Sequence, residues 1–261
     1  MRVFESNGVR WYSFETMPVA ARHAVFTRLG GASRPPFDEL NVGGSVGDDP
    51  TVVAANQKAM LGAVRVPPSR VVSGVQVHGA HVALVNDGDA GTVLPTTDAL
   101  ITRTPDLYLS LRFADCVPII LCDPEVGAVG MVHAGWRGSS LGIVRRAVEA
   151  MVEAYDCAAR RIIAGIGPSI GRCCYEVGPE VVTALSRATP SPSSAWVRVD
   201  AEGSHFVDLG RANRLQLLSV GVEHIEIADM CTACRQDEFY SHRGSGGTTG
   251  RFAAMVGWSE C

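Results

Sequence analysis

Residues 117–133 read VPIILCDPEVGAVGMVH, two apolar runs on either side of Asp123-Pro124. Val117–Cys122 and Gly127–His133 each have the length of a core strand, and the Asp-Pro pair between them marks a turn. The spacing predicts an antiparallel hairpin whose open end carries Cys116 on one side and His133 on the other, so that pairing brings a thiol close to an imidazole. Outward from this hairpin, strands are expected at Val25–Arg28, Val71–Val77, His81–Val85, Ala99–Thr102 and Leu107–Leu111, then at Arg161–Gly165, Val222–Ala228 and Phe252–Trp258. Asp49 caps a helix with Pro50 at its first position, running to about Leu61. Ile143, Ala147, Val148, Met151 and Tyr155 recur at helical spacing and predict one long amphipathic helix from near Ser139. Pro179–Arg187 and Leu209–Val220 read as further helices. Hairpins mixed with crossover helices define an α/β protein with mixed sheets, not a purely parallel doubly wound one. No repeat or linker divides the chain, so one domain over residues 1–261 is expected, with the Pro- and Ser-rich Ala188–Ala195 as an excursion from it.

The composition, 46% hydrophobic and 19% charged, is that of a globular protein able to bury a large core. A net charge of −4 gives no electrostatic case for nucleic acid or an anionic membrane as partner. The first residues lack the apolar run of an export signal, and the longest apolar stretches are too short to span a bilayer. The cytoplasm is therefore the expected compartment, where the eight cysteines would stay reduced and invite a metal or catalytic reading. Nothing in the sequence sets an oligomeric state.

Three motifs fail on context. Gly43-Gly44-Ser45-Val46-Gly47 has the string of a hydrolase nucleophile elbow, but no strand precedes it and no helix follows at once, so it reads as a glycine turn. Gly165-Ile166-Gly167 follows a strand, but its third glycine, Gly171, comes one place late for a dinucleotide fingerprint. Cys231-x-x-Cys234 has no second pair at zinc-ribbon spacing. A structural zinc there would need Cys173 or Cys174 brought in by the fold, and two buried thiols near a turn is the simpler expectation.

One constellation survives. Gln76-Val77-His78-Gly79, Ala114-Asp115-Cys116-Val117-Pro118 and His133-Ala134-Gly135-Trp136-Arg137-Gly138 each present a metal-capable side chain where a strand meets a bend. Two imidazoles and a thiolate suit zinc with its fourth position open, the pattern of catalytic sites. The same donors with a long axial methionine would describe a blue-copper centre, so copper is the second choice of metal. Gly135–Ser140 is expected to open the amphipathic helix and point free N–H groups at an anion, with Arg137 adding a planar fork. The stretch from His242-Arg243-Gly244 to Gly250-Arg251 reads as a loop that could close over a ligand.

Taken in order, these strings resemble the laccase-domain, or YfiH-type, family. Phe26-Thr27-Arg28-Leu29-Gly30-Gly31, Thr97-Asp98-Ala99, Gly165-Ile166-Gly167-Pro168, Cys173-Cys174-Tyr175-Glu176-Val177-Gly178, Phe239-Tyr240-Ser241-His242-Arg243 and Thr249-Gly250-Arg251 extend the resemblance from about residue 24 to the C-terminus. It implies a single α/β domain with layered mixed sheets flanked by helices (α/β/β/α), and zinc held by His78, Cys116 and His133. It also implies phosphorolysis of adenosine, inosine and methylthioadenosine, with adenosine deamination at the same site. Purine nucleoside and inorganic phosphate are then the partners. The polyphenol-oxidase label the family has carried does not suit this chain as a multicopper enzyme, since its seven histidines include no H-x-H pair.

Phosphorolysis needs cations to position phosphate and something to stabilise the departing purine. Arg137, Arg28 and Arg243 are the phosphate candidates. Asp115, beside Cys116, is the candidate proton shuttle for deamination, since the H-x-E and P-C-x-x-C signature of zinc nucleobase deaminases is absent. Two other classes use the same residues. A metal-free cysteine hydrolase would take Cys116 as nucleophile with His133 or His78 as base. A non-enzymatic small-molecule-binding domain would carry a structural zinc.

Overall fold

A computed structural model describes residues 1–259. Two mixed sheets carry the fold. The first has seven strands in the order Arg2–Ser6, Val9–Ser13, Ala21–Phe26, Phe252–Trp258, Tyr108–Phe113, Val71–Gly74 and Val93–Leu94. The second has six, in the order His224–Ile227, Ile163–Ile166, Val117–Asp123, Ala128–Ala134, Ala99–Thr102 and Val82–Leu84. A small antiparallel sheet joins Glu176–Val177, His205–Val207 and Val197–Val199.

Side-chain alternation along the central strands sorts the core into layers. Ile120, Cys122, Val129 and Met131 of the six-stranded sheet pack against Leu109, Leu111, Phe252, Ala254 and Val256 of the seven-stranded one. Ile119, Leu121, Ala128 and Val132 point the other way, onto the helices Ile143–Tyr155 and Leu209–Ser219. The outer face of the seven-stranded sheet, with Ala24, Phe26, Ala253 and Met255, receives Met60 and Leu61 of the helix Pro50–Ala63. This is the layered helix–sheet–sheet–helix arrangement the sequence implies. Both hairpin strands are buried on both faces, which is why they read as continuous apolar runs. Among the described residues no helix is long and apolar enough to cross a membrane.

The hairpin forms as expected, with Val117–Asp123 paired to Ala128–Ala134 and His133 opposite Pro118. Asp123 closes it by accepting from Glu125 N, from Ala158 N and from the Arg161 guanidinium at 3.0 Å. Asp49 caps Pro50–Ala63 by accepting from Thr51 N. One helix differs from expectation. The long helix from Ser139 is two helices, Trp136–Ser140 and Ile143–Tyr155, separated where Gly142 adopts φ +73°. That left-handed residue ends the first after five residues, so the segment at Gly135 is too short to act as a helix dipole on an anion.

His23 ties the Ala21–Phe26 strand to its neighbour. Its Nε2 accepts from Phe14 N at 2.8 Å, and its Nδ1 lies 2.6 Å from the Ala21 carbonyl, which requires the neutral ring. Burial pushes its pKa below the ordinary 6.5. The unfolded chain therefore takes up this proton first, and its contribution is a loss of stability as pH falls through 6.5 towards the lower folded value. His23→Gln is expected to flatten that part of the profile, read as Tm against pH.

Candidate metal centre and its cavity

His78 and Cys116 both lie where the chain passes from one sheet to the other. His78 follows Val71–Gly74 and precedes Val82–Leu84, and Cys116 follows Tyr108–Phe113 and precedes Val117–Asp123. His133 ends its strand facing the layer between the sheets, its ring 5.5 Å from that of Phe113. The donor atoms of all three residues lie within 4.8 Å of one another. Cys116 is half-buried, His133 buried and His78 exposed, so the cluster opens to solvent on one side.

Asp98, absent from the sequence-derived site, organises the cluster. Its Oδ1 lies 2.8 Å from His133 Nδ1 and accepts from His78 N at 2.9 Å, while Oδ2 accepts from Val77 N and Gly79 N. It is fully buried. Holding Nδ1 leaves the other ring nitrogen of His133 for the thiol, the usual way an outer carboxylate orients a ligating histidine. The three amide bonds hold the His78 bend, where φ is +61°. Burial alone would raise the Cys116 thiol, but His133 and His78 overcome it and bring the pKa down to about 6. Burial would lower His133, but the Cys116 thiolate and Asp98 raise it to about 9. Each group thus favours the charged form of the other, and both must lose their protons for a cation to bind.

The cluster forms one wall of a cavity of about 500 Å³. Trp136, Ile170, Tyr175 and Leu209 give it apolar surface, and Arg112, Arg137, Arg243 and Arg251 give it positive charge. Of the three phosphate candidates, Arg137 and Arg243 line this cavity and Arg28 does not. Arg28 donates to the Asp38 and Gln236 carbonyls and lies over the Tyr240 ring, clamping two loops. Arg243 donates to the Glu176 carbonyl, and Arg137 stacks on Trp136. Arg251 closes the loop that the sequence offered as a ligand cover, although not as a phosphate candidate, and Arg112 went unnoticed. Arg112 was legible as a lone guanidinium inside the apolar run Tyr108–Phe113. Both carboxylate oxygens of Asp115 are engaged, one by Thr232 Oγ1 and one by Arg243 N, each at 2.7 Å.

A second cavity, of about 570 Å³, lies between the N-terminal strands and Pro50–Ala63, lined largely by apolar residues such as Phe4, Trp11, Val64 and Met255. It holds none of the clustered donors. The glycine string at 43–47 forms a turn whose Gly43 and Ser45 border the metal-side cavity.

Two facing sheets with a histidine–cysteine–histidine cluster where the chain crosses between them define a laccase-domain protein, and the chain belongs to that family. The family described as multi-copper polyphenol oxidoreductase laccase matches residues 22–259. Among its relatives, purine nucleoside phosphorylase YlmD of Geobacillus stearothermophilus is 39% identical, with 99% of this chain and 98% of that one covered. Purine nucleoside phosphorylase Rv2149c of Mycobacterium tuberculosis is 40% identical over 93% of each chain. The crystal structure of the Geobacillus protein superposes with a TM-score of 0.93 over 98% of both chains. That of Bacillus licheniformis YfiH, described as a hypothetical protein, gives 0.92 at 32% identity, also over 98% of both.

Proposed function

We propose that this chain is a zinc-dependent purine nucleoside phosphorylase with the metal held by His78, Cys116 and His133. The observation that carries the reading is the convergence of these three donors on the wall of a cavity lined by arginines and aromatics. Its relatives' names supply the reaction class. Two imidazoles and a thiolate fit a borderline-soft divalent ion. No methionine lines the cavity, which favours zinc over a blue-copper centre. Among the described residues the only other group of clustered donors is four cysteines, so the histidine-rich trinuclear centre of a multicopper oxidase has no counterpart.

In this reading phosphate enters beside Arg137 and Arg243, while the partly buried Arg112 and Arg251 hold positive potential behind it. Tyr175 and Trp136 offer ring faces to the purine. A phosphate oxygen forms a bond to the anomeric carbon as the bond from that carbon to the purine nitrogen breaks, and the proton that hydrogen phosphate brought leaves on the purine. Zinc, when bound, supplies Lewis-acid charge for the developing anion. Arg28 acts through the loops it clamps. Adenosine deamination at the same cavity belongs to the proposal as a side activity. With Asp115 held by Thr232 and Arg243, its role is to position the Arg243 segment.

Incubating the protein with adenosine, with and without phosphate, tests the reading by product identification. Adenine and ribose 1-phosphate are expected only with phosphate, lost on chelation and restored by zinc. Arg137→Met is expected to raise KM for phosphate by about tenfold, the loss of one charge-assisted contact. A zinc-loaded protein that turns over none of adenosine, inosine and methylthioadenosine would overturn the assignment.

A further inference from the structure

The motif left unabsorbed by the active-site reading is Cys231-x-x-Cys234. The fold brings Cys173 and Cys174 to it, and the expectation of two buried thiols near a turn does not hold, since Cys231 is half-buried and Cys234 exposed. The four sulfur atoms lie within 4.8 Å of one another. Cys234 Sγ is 3.5 Å from Cys173 Sγ and 3.4 Å from Cys174 Sγ. A disulfide would need about 2.05 Å, whereas a tetrahedron of sulfurs about 2.3 Å from a central zinc has edges of roughly 3.8 Å. All four cysteines are free.

We propose that Cys173, Cys174, Cys231 and Cys234 hold a second zinc ion, a closed tetrathiolate that clips the loop after Ile163–Ile166 to the turn at residues 229–235.

Three features support this beyond proximity. Cys173 and Cys174 occupy a turn, so adjacent side chains converge instead of alternating as on a strand. Gly171 N donates to Cys231 Sγ at 3.2 Å, an amide placed as in metal-binding sulfur turns to share a thiolate's charge. The donor set is sulfur alone, which selects zinc among divalent ions and leaves no open position for substrate.

The clip would stiffen one wall of the cavity. Cys174 directly precedes Tyr175, which lines it, and Glu176, whose carbonyl accepts from Arg243. Thr232, between the other two cysteines, donates to Asp115, the neighbour of Cys116. Elsewhere the two segments are joined by Ser169 N to Met230 O and Thr232 N to Ser169 O, a thin connection for so much of a wall.

Metal content of the full chain, purified without chelator, tests the proposal independently of turnover. About two zinc ions per chain are expected for the unaltered protein, and about one for His78→Ala/His133→Ala. X-ray absorption on that histidine variant should show a sulfur-only shell at about 2.3 Å. Cys231→Ser/Cys234→Ser should hold about one zinc, now with nitrogen in its shell. If this cysteine variant does not fold, the histidine variant and the unaltered protein carry the test. A histidine variant free of zinc, one whose zinc shell contains nitrogen, or an intact mass showing a disulfide among these cysteines would overturn the clip.

Discussion

Asp98→Ala is expected to lower zinc affinity at the histidine–cysteine–histidine cluster by 10- to 100-fold and to destabilise the metal-free fold by about 3 kcal/mol. One carboxylate serves four donors from two chain segments, and alanine leaves the amides of Val77, His78 and Gly79 without their acceptor. It also frees the His133 ring to rotate and to carry its proton on either nitrogen. Calorimetric titration with zinc and denaturant unfolding of the chelated protein read the two effects separately. Asp98→Asn distinguishes orientation from stability. Its single oxygen can accept on one side only, either from Val77 N and Gly79 N or from His78 N, and its NH2 then faces N–H donors on the other, so only part of the stability should return while the affinity defect persists. Unchanged zinc affinity in both variants would remove Asp98 from the site.

Gly135→Ala is expected to reduce zinc affinity by at least about 100-fold while leaving the metal-free fold intact. The backbone there, φ −73° and ψ 170°, suits any residue, so the substitution introduces no backbone strain. The added methyl carbon, however, would lie 2.9 Å from Cys116 Sγ and 3.0 Å from the His78 ring. Sulfur and carbon cannot approach so closely, and metal–ligand distances tolerate only about 0.2 Å. The donors must part. Far-UV circular dichroism and the Tm of chelated protein should match the parent. A variant that binds zinc normally would show that the donors close differently around the ion.

The sequence disclosed the parts of the fold where burial is most complete. The hairpin at 117–134 was legible because both faces of both strands are buried, leaving unbroken apolar runs around Asp123-Pro124. Its pairing then placed Cys116 beside His133 without any further information. The N-terminal hairpin, Arg2–Ser6 with Val9–Ser13, was missed although Asn7-Gly8 marks it. Both residues take positive φ, the signature of a tight hairpin turn. The break at Gly142 was hidden because the apolar spacing continues beyond it, and a single glycine inside a helix is tolerated often enough to be passed over. Asp98 looked like an ordinary acid before a strand. Its importance lies in contacts with residues about 20 and 35 positions away, which no local pattern records. The same distance hid the four-cysteine cluster, whose members come from segments some 60 residues apart.

Three passages lead from the seven-stranded to the six-stranded sheet, and His78, Asp98 and Cys116 sit one on each, so the proposed metal site would work as a caliper on the layer between them. A sheet cannot slide or lift against its partner without spreading the donors. Ion binding therefore measures the spacing of the large apolar layer in the middle of the molecule. Changes packed deep in that layer, around Leu111, Met131 or Ala254, far from any substrate, would register at the metal as surely as changes beside it.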